Sequence, residues 1–96
     1  MKIVWTPESE RTFNENIEYL AESWTLKTIH KFIDRVEQVI NNLAENSEKY
    51  PFHRKEDQVR RCVVNKHITL YSTVYPDRID LLTFWNTHQN PARLTL

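Results

Sequence analysis

Three strand-like apolar runs joined by two very short turns lie between Val59 and Leu94, and they constrain the fold more than any other feature of the chain. Val59–Val64 and His67–Tyr75 are rich in β-branched and aromatic residues, and only Asn65-Lys66 separates them, which fits a tight hairpin turn. Pro76-Asp77-Arg78 makes a second turn and Ile79–Trp85 a further strand. Connections this short make neighbours in sequence neighbours in the sheet, so the runs form an antiparallel meander. Along His67–Tyr75, Ile68, Leu70 and Val74 fall on one face, and Thr69, Tyr71, Thr73 and Tyr75 on the other. The first face needs a cover. The second carries Tyr and Thr and is expected to be open to a partner.

The cover is supplied by the first half of the chain. Lys2–Thr6 reads as a short strand with Ile3 and Trp5 on one face. Thr6-Pro7 then starts a helix: Thr6 can cap free amides, Pro7 suits the first helical position, and Glu8 and Glu10 oppose the positive helix end. Phe13, Ile17, Leu20, Ala21 and Trp24 form its apolar stripe. After a cap at Ser23 or Thr25, a second helix buries Leu26, Ile29, Ile33, Val36, Ile40 and Leu43, with Phe32 and Val39 widening the face. The break between the helices is short enough to predict an antiparallel hairpin. His30 lies beside the stripe as a boundary residue. The second helix is expected to fray near Asn46–Ser47, and Glu45–Gln58, dense in charge and interrupted by Pro51, to be the flexible piece. The predicted architecture is α+β, in the order β-α-α-β-β-β: a helical hairpin on a four-stranded, mainly antiparallel sheet, one domain spanning residues 1–96.

Composition narrows the function classes. There is no glycine, which excludes Gly-rich phosphate loops and dinucleotide fingerprints. No run approaches membrane-spanning length. With no export signal at the start and a single cysteine, Cys62, a reducing cytoplasm is expected. Cys62 sits mid-strand among valines, where a small hydrophobe packs better than a nucleophile works. Cys62, His53, His67 and His88 lack paired zinc-ligand spacing, so neither metal nor cofactor is expected. The formal net charge is zero, which argues against a general nucleic-acid binder. The halves differ, though: residues 1–50 hold six Lys/Arg against nine Asp/Glu, and residues 51–96 hold seven against four. The sheet half is the basic one.

The element order, together with the line RRCVVNKHITLYSTVYPDRIDLLTFWNTHQNPARL, resembles the RelE/ParE superfamily of bacterial toxins. The resemblance covers nearly the whole chain. Its most specific part is the end, where the strand carrying Tyr71 is followed by an apolar strand and then by Trp85-Asn86-Thr87-His88-Gln89-Asn90-Pro91. A segment of the type Thr-Arg-Gln-Asn-Pro is frequent there in one branch. Here His88 stands in the usual Arg position, and Asn86 where Asp or His is common. The resemblance implies a toxin of a type II toxin–antitoxin module, held inactive by a cognate antitoxin. It implies one of two targets: mRNA in the ribosome, cut without a metal as by RelE-like toxins, or DNA gyrase, blocked without catalysis as by ParE-like toxins. RNA-cleaving members usually place an Arg one turn before the aromatic of the third strand, where this chain has His67-Ile68-Thr69.

Metal-free RNA cleavage needs a base, an acid for the leaving oxygen, and cations for the developing charge. The candidate residues are His88, Arg60, Arg61, Tyr71 and Tyr75, with His67, His53, Arg54, Lys55 and Arg93 in the same half. His88, just beyond the last strand, has the side chain best suited to proton transfer near neutrality. It serves equally well as an exposed tail residue at an antitoxin interface. Arg60 and Arg61 are adjacent and must face opposite sides of a strand. Tyr71 and Tyr75 can stack on bases or pack under the C-terminal tail. The expected function is therefore growth inhibition by a ribosome-associated endoribonuclease. The alternatives are a gyrase inhibitor and a decayed toxin that only binds its antitoxin.

Overall fold

A computed structural model describes residues 1–23 and 25–96. Trp24, expected on the first helical stripe, lies outside the described residues. The elements are β1 (Lys2–Trp5), α1 (Pro7–Ser23), α2 (Leu26–Asn46), β2 (Phe52–Arg54), β3 (Val59–Val63), β4 (Ile68–Val74) and β5 (Arg78–Asn86), with 3₁₀ turns at Ser47–Lys49 and Pro91–Arg93. The α+β class and the helical hairpin are as expected. The sheet has five strands, in the order β1-β5-β4-β3-β2, where four were expected. The extra strand is β2, inside the segment read as flexible. Its three residues are all exposed and show no apolar alternation, so pairing with β3, not burial, defines the strand. The other pairings are antiparallel except β1 with β5, which is parallel, Lys2 opposite Arg78 through Trp5 opposite Leu81.

Helix α1 begins as its sequence dictates. The Thr6 hydroxyl accepts the Ser9 amide at 3.1 Å while donating to the Leu81 carbonyl at 2.7 Å. One threonine thus caps a helix and fastens it to β5. Strand β1 ends opposite Leu81, so the outer edge of β5 has no strand beside it further on. A polar stripe of α1 takes that place: the Thr12 hydroxyl accepts the Phe84 amide at 2.9 Å, and the Asn16 amide donates to the Phe84 carbonyl at 3.1 Å. Leaving these buried backbone groups unpaired would be costly, which is why Thr12 and Asn16 are buried polar residues.

The core lies between the sheet and both helices. Phe32, Val36, Val39 and Leu43 of α2 meet Cys62, Leu70, Ile79, Leu81 and Phe84. Trp5, Phe13, Phe32 and Phe84 form a chain of ring contacts, with centroids 5.3–5.8 Å apart, that ties β1, α1, α2 and β5 together. A bulge breaks the simple alternation. Tyr71 faces Thr83 but Ser72 faces Leu81, so Leu82 has no opposite residue. The inward positions shift from Ile79 and Leu81 to Phe84 across it, which lets both apolar groups reach one core.

Candidate functional site

The turn from β3 to β4 and the segment leaving β5 lie side by side, because the ladder sets Ile68 opposite Asn86. One contact joins the two backbones, and two more shape the turn on each side. The Thr87 amide donates to the His67 carbonyl at 2.8 Å, the Asn65 side chain accepts the His67 amide at 2.8 Å, and the Asn86 side chain accepts the His88 amide at 2.9 Å. The imidazoles then meet, His88 Nε2 and His67 Nδ1 2.9 Å apart. Their ring centroids are 4.9 Å apart with the planes tilted by 33°. The pair is at the sheet end, with His88 exposed and His67 half-buried.

A second group sits mid-sheet on the face away from the helices. Arg61 lies opposite Tyr71, and the His53 ring meets the Tyr71 ring edge-on with centroids 4.9 Å apart. Burial raises the Tyr71 hydroxyl above its ordinary pKa, and the Arg61 charge partly offsets this. This face was expected to be open, but Thr69, Tyr71 and Thr73 are each only 6% exposed. The C-terminal segment runs back along it. Arg93, Leu94 and Thr95 share a cleft of about 340 Å³ with Tyr19, Thr83 and Trp85, and the Leu96 carbonyl accepts from Arg54 on the far strand β2 at 3.5 Å. Tyr71 is thereby packed, with its aromatic face unavailable for stacking on a base.

The remaining candidates lie elsewhere. Arg60 points to the other face, where its guanidinium donates to the Tyr50 carbonyl at 2.7 Å and lies 4.0 Å over the Phe52 ring. It has a structural partner on each side. Tyr75 is at the opposite end of β4, eight residues beyond His67, a distance of roughly 26 Å at about 3.3 Å per residue. There its ring stacks under Arg78 at 4.2 Å. Arg54 pairs with Asp57. The structure therefore brings together His67 with His88, and Arg61 with Tyr71 and His53. It does not gather His88, Arg60, Tyr71 and Tyr75 into one cleft. The contact between His53 and Tyr71 went unforeseen because it depends on β2. The two-histidine contact was not available from register, since the ladder continued one residue past Ile68 sets His67 opposite Thr87, and His88 reaches it from one residue further on.

A groove of about 770 Å³ lies on the helix side of the sheet end, between α2 and the β3–β4 turn. Leu20, Phe32 and Val64 form its apolar floor, and Lys31, Asp34 and Arg35 its charged rim. Among the described residues no three His, Cys, Asp or Glu side chains cluster as a metal site, and no helix is long and apolar enough to cross a membrane.

Two helices packed on a five-stranded sheet, with one parallel edge strand and a polar tail after the last strand, make a fold shared with solved toxins of the ParE and YoeB type. More narrowly, the chain belongs to the ParE toxin family of type II toxin–antitoxin systems (parDE), whose pattern matches residues 3–91. No curated protein matches it. Among solved structures, a chain of the chromosomal ParDE TA system from P. aeruginosa superposes with a TM-score of 0.72 at 11% identity, covering 90% of this chain and 95% of that one. The YoeB/ParE toxin from Agrobacterium tumefaciens gives 0.62 at 13%, covering 90% and 98%. A chain of the heterotetrameric YoeB-YefM toxin-antitoxin complex from Staphylococcus aureus gives 0.60 at 14%, covering 93% and 98%. At such identities these likenesses establish the fold.

Proposed function

We propose that this toxin is held by a cognate antitoxin and arrests growth by binding DNA gyrase, in the manner the ParE resemblance implies, without cutting RNA. The dispersal of the candidate catalytic residues carries this reading. General acid–base chemistry needs its groups within hydrogen-bond reach of one substrate. Here Arg60 is tied to Tyr50 and Phe52, Tyr71 is buried, and Tyr75 lies at the wrong end of the strand. The match to the ParE family supports the same target. An antitoxin partner is supported by the S. aureus relative, whose structure is a toxin–antitoxin complex. The test is a gyrase supercoiling assay run beside a cell-free translation assay. Inhibition of supercoiling alone is expected. Inhibition of translation alone overturns the reading, and inactivity in both with retained antitoxin binding marks a decayed toxin.

One observation favours endoribonuclease activity as a second reading: the contact between His67 and His88. Two imidazoles at 2.9 Å, one half-buried and one exposed, can divide the roles of base and acid with no metal. On that reading His88→Ala lowers RNA cleavage about 10²–10⁴-fold. His88→Arg stays weak, because arginine keeps the charge but cannot move the proton. Full toxicity of His88→Ala removes the pair from the active site.

A further inference from the structure

We propose that residues 88–96 form a strap over the face of the sheet away from the helices, latched by the hydrogen bond between His67 and His88, and that the latch releases when both imidazoles carry a charge. The inference stands apart from the choice between gyrase and RNA, because it concerns access to that face and not what reaches it.

The path of the tail is the first argument. Both helices pack on the other face of the sheet, yet Thr69, Tyr71 and Thr73 on this one are each only 6% exposed. The tail runs over them from β5 to β2. Asn90 turns it: its side chain accepts the Ala92 amide at 3.1 Å, and Pro91 starts the short turn that ends at Arg93. Leu94 is then half-buried in the cleft with Thr83 and Trp85, while the rest of the strap is exposed. A segment that seats one apolar side chain and otherwise lies in water gains little from burial. Its ends are pinned instead. His88 Nε2 meets His67 Nδ1 at 2.9 Å, and Arg54 donates to the Leu96 carbonyl at 3.5 Å, long for such a bond. The histidine contact is therefore the stronger pin. A partner that stacks on Tyr71 has to lift the strap first.

The chemistry of the latch is the second argument. In the neutral pair one nitrogen carries the bridging hydrogen and the other accepts it. A first added proton still leaves one donor and one acceptor, so the bridge survives. A second leaves two donors and no acceptor, and the charged rings repel. The charged groups around the pair are Lys66 in the same turn, Lys31, Asp34 and Arg35 of α2 across the groove that His67 lines, and Arg93 further along the tail. Four cations against one carboxylate add to the repulsion. Imidazoles gain their charge in mildly acidic solution, so the strap is closed at neutral pH and opens below it.

The test is hydroxyl-radical footprinting of the full chain, read residue by residue by mass spectrometry, at about pH 7 and about pH 5. Tyr71 should be protected at the higher pH and oxidise about threefold faster or more at the lower one, while the exposed Tyr19 holds constant. His88→Ala should leave Tyr71 reactive at both. His88→Gln should protect it at both, since an amide can donate or accept at either pH. His30→Ala on α2 should keep the response of the unaltered chain. Tyr71 reactive at neutral pH in the unaltered chain overturns the strap, and Tyr71 protected in His88→Ala overturns the latch. A pH response that persists in His88→Gln overturns the role of the pair. Oxidation of the buried Phe84 rising in step with Tyr71 means that the whole domain loosens, and this overturns the proposal as well.

Discussion

Cys62 shows how a residue's surroundings decide its chemistry. It is fully buried, with Sγ 3.7 Å from the Ser72 hydroxyl. Burial pushes its thiol up to about 11 from an ordinary 9.0, and Ser72 and Arg60 pull only weakly the other way. The stability consequence has a definite sign. Below about pH 9 the thiol is neutral in both folded and unfolded chains. Between 9 and 11 the unfolded chain gives up its proton first, so unfolding becomes easier as pH rises. Urea denaturation should show a loss on the order of 2–3 kcal/mol across that window. Tyr71, also raised by burial, adds to it at the upper end. Cys62→Ala should flatten the alkaline limb, and an unchanged limb would show that other groups cause it. That Cys62 packs as a core residue was legible in its valine-rich surroundings. The role of Arg60 was not, since a sequence shows that two adjacent arginines diverge but not which of them finds a carbonyl.

At the level of elements, the helices and the three long strands were legible because burial imposes periods of 3.6 and 2 on them, but the buried face of α2 is Phe32, Val36, Val39 and Leu43, while Leu26 and Ile33, expected inside, are exposed. Strand β2 escaped because its three exposed residues carry no period. The bulge at Leu82 escaped because Leu81 and Leu82 are equally apolar, so the change of face leaves no mark. The junction of α1 with β5 escaped for a different reason: it is made by polar residues, which pattern reading assigns to solvent. It can be tested directly. Thr12→Val keeps the shape of the side chain but leaves the buried Phe84 amide without an acceptor. Equilibrium unfolding should register a cost of about 1–3 kcal/mol, and Thr12→Ser should restore most of it. A neutral Thr12→Val would mean that water reaches the amide. The exposed pairs of Arg11 with Glu8 and Glu15, at 2.5 Å each, raise the arginine's already high pKa but should matter little to stability.

Taken whole, the molecule has an acidic helical half and a basic sheet half, and its tail closes over the face that sequence alone left open. A cognate antitoxin, on the proposed function, binds only the folded chain and should raise its melting temperature. At a hundredfold excess over Kd the gain is about 2.7 kcal/mol, on the order of 10 °C for a domain this small. No shift with the protein encoded by the adjoining reading frame would break that pairing. The parallel ladder of β1 and β5 bears on how such a chain is made. Strand β1 leaves the ribosome well before its partner, which begins at Arg78. Until then Trp5 has neither Phe84 to stack on nor a strand beside it, and the apolar side of α2 lacks most of the sheet it covers. Domains of this contact pattern complete their core late. A message broken between the codons for Trp5 and Arg78 therefore yields an unfinished polypeptide with its greasy side bare, fit for proteolysis and not for poisoning the cell.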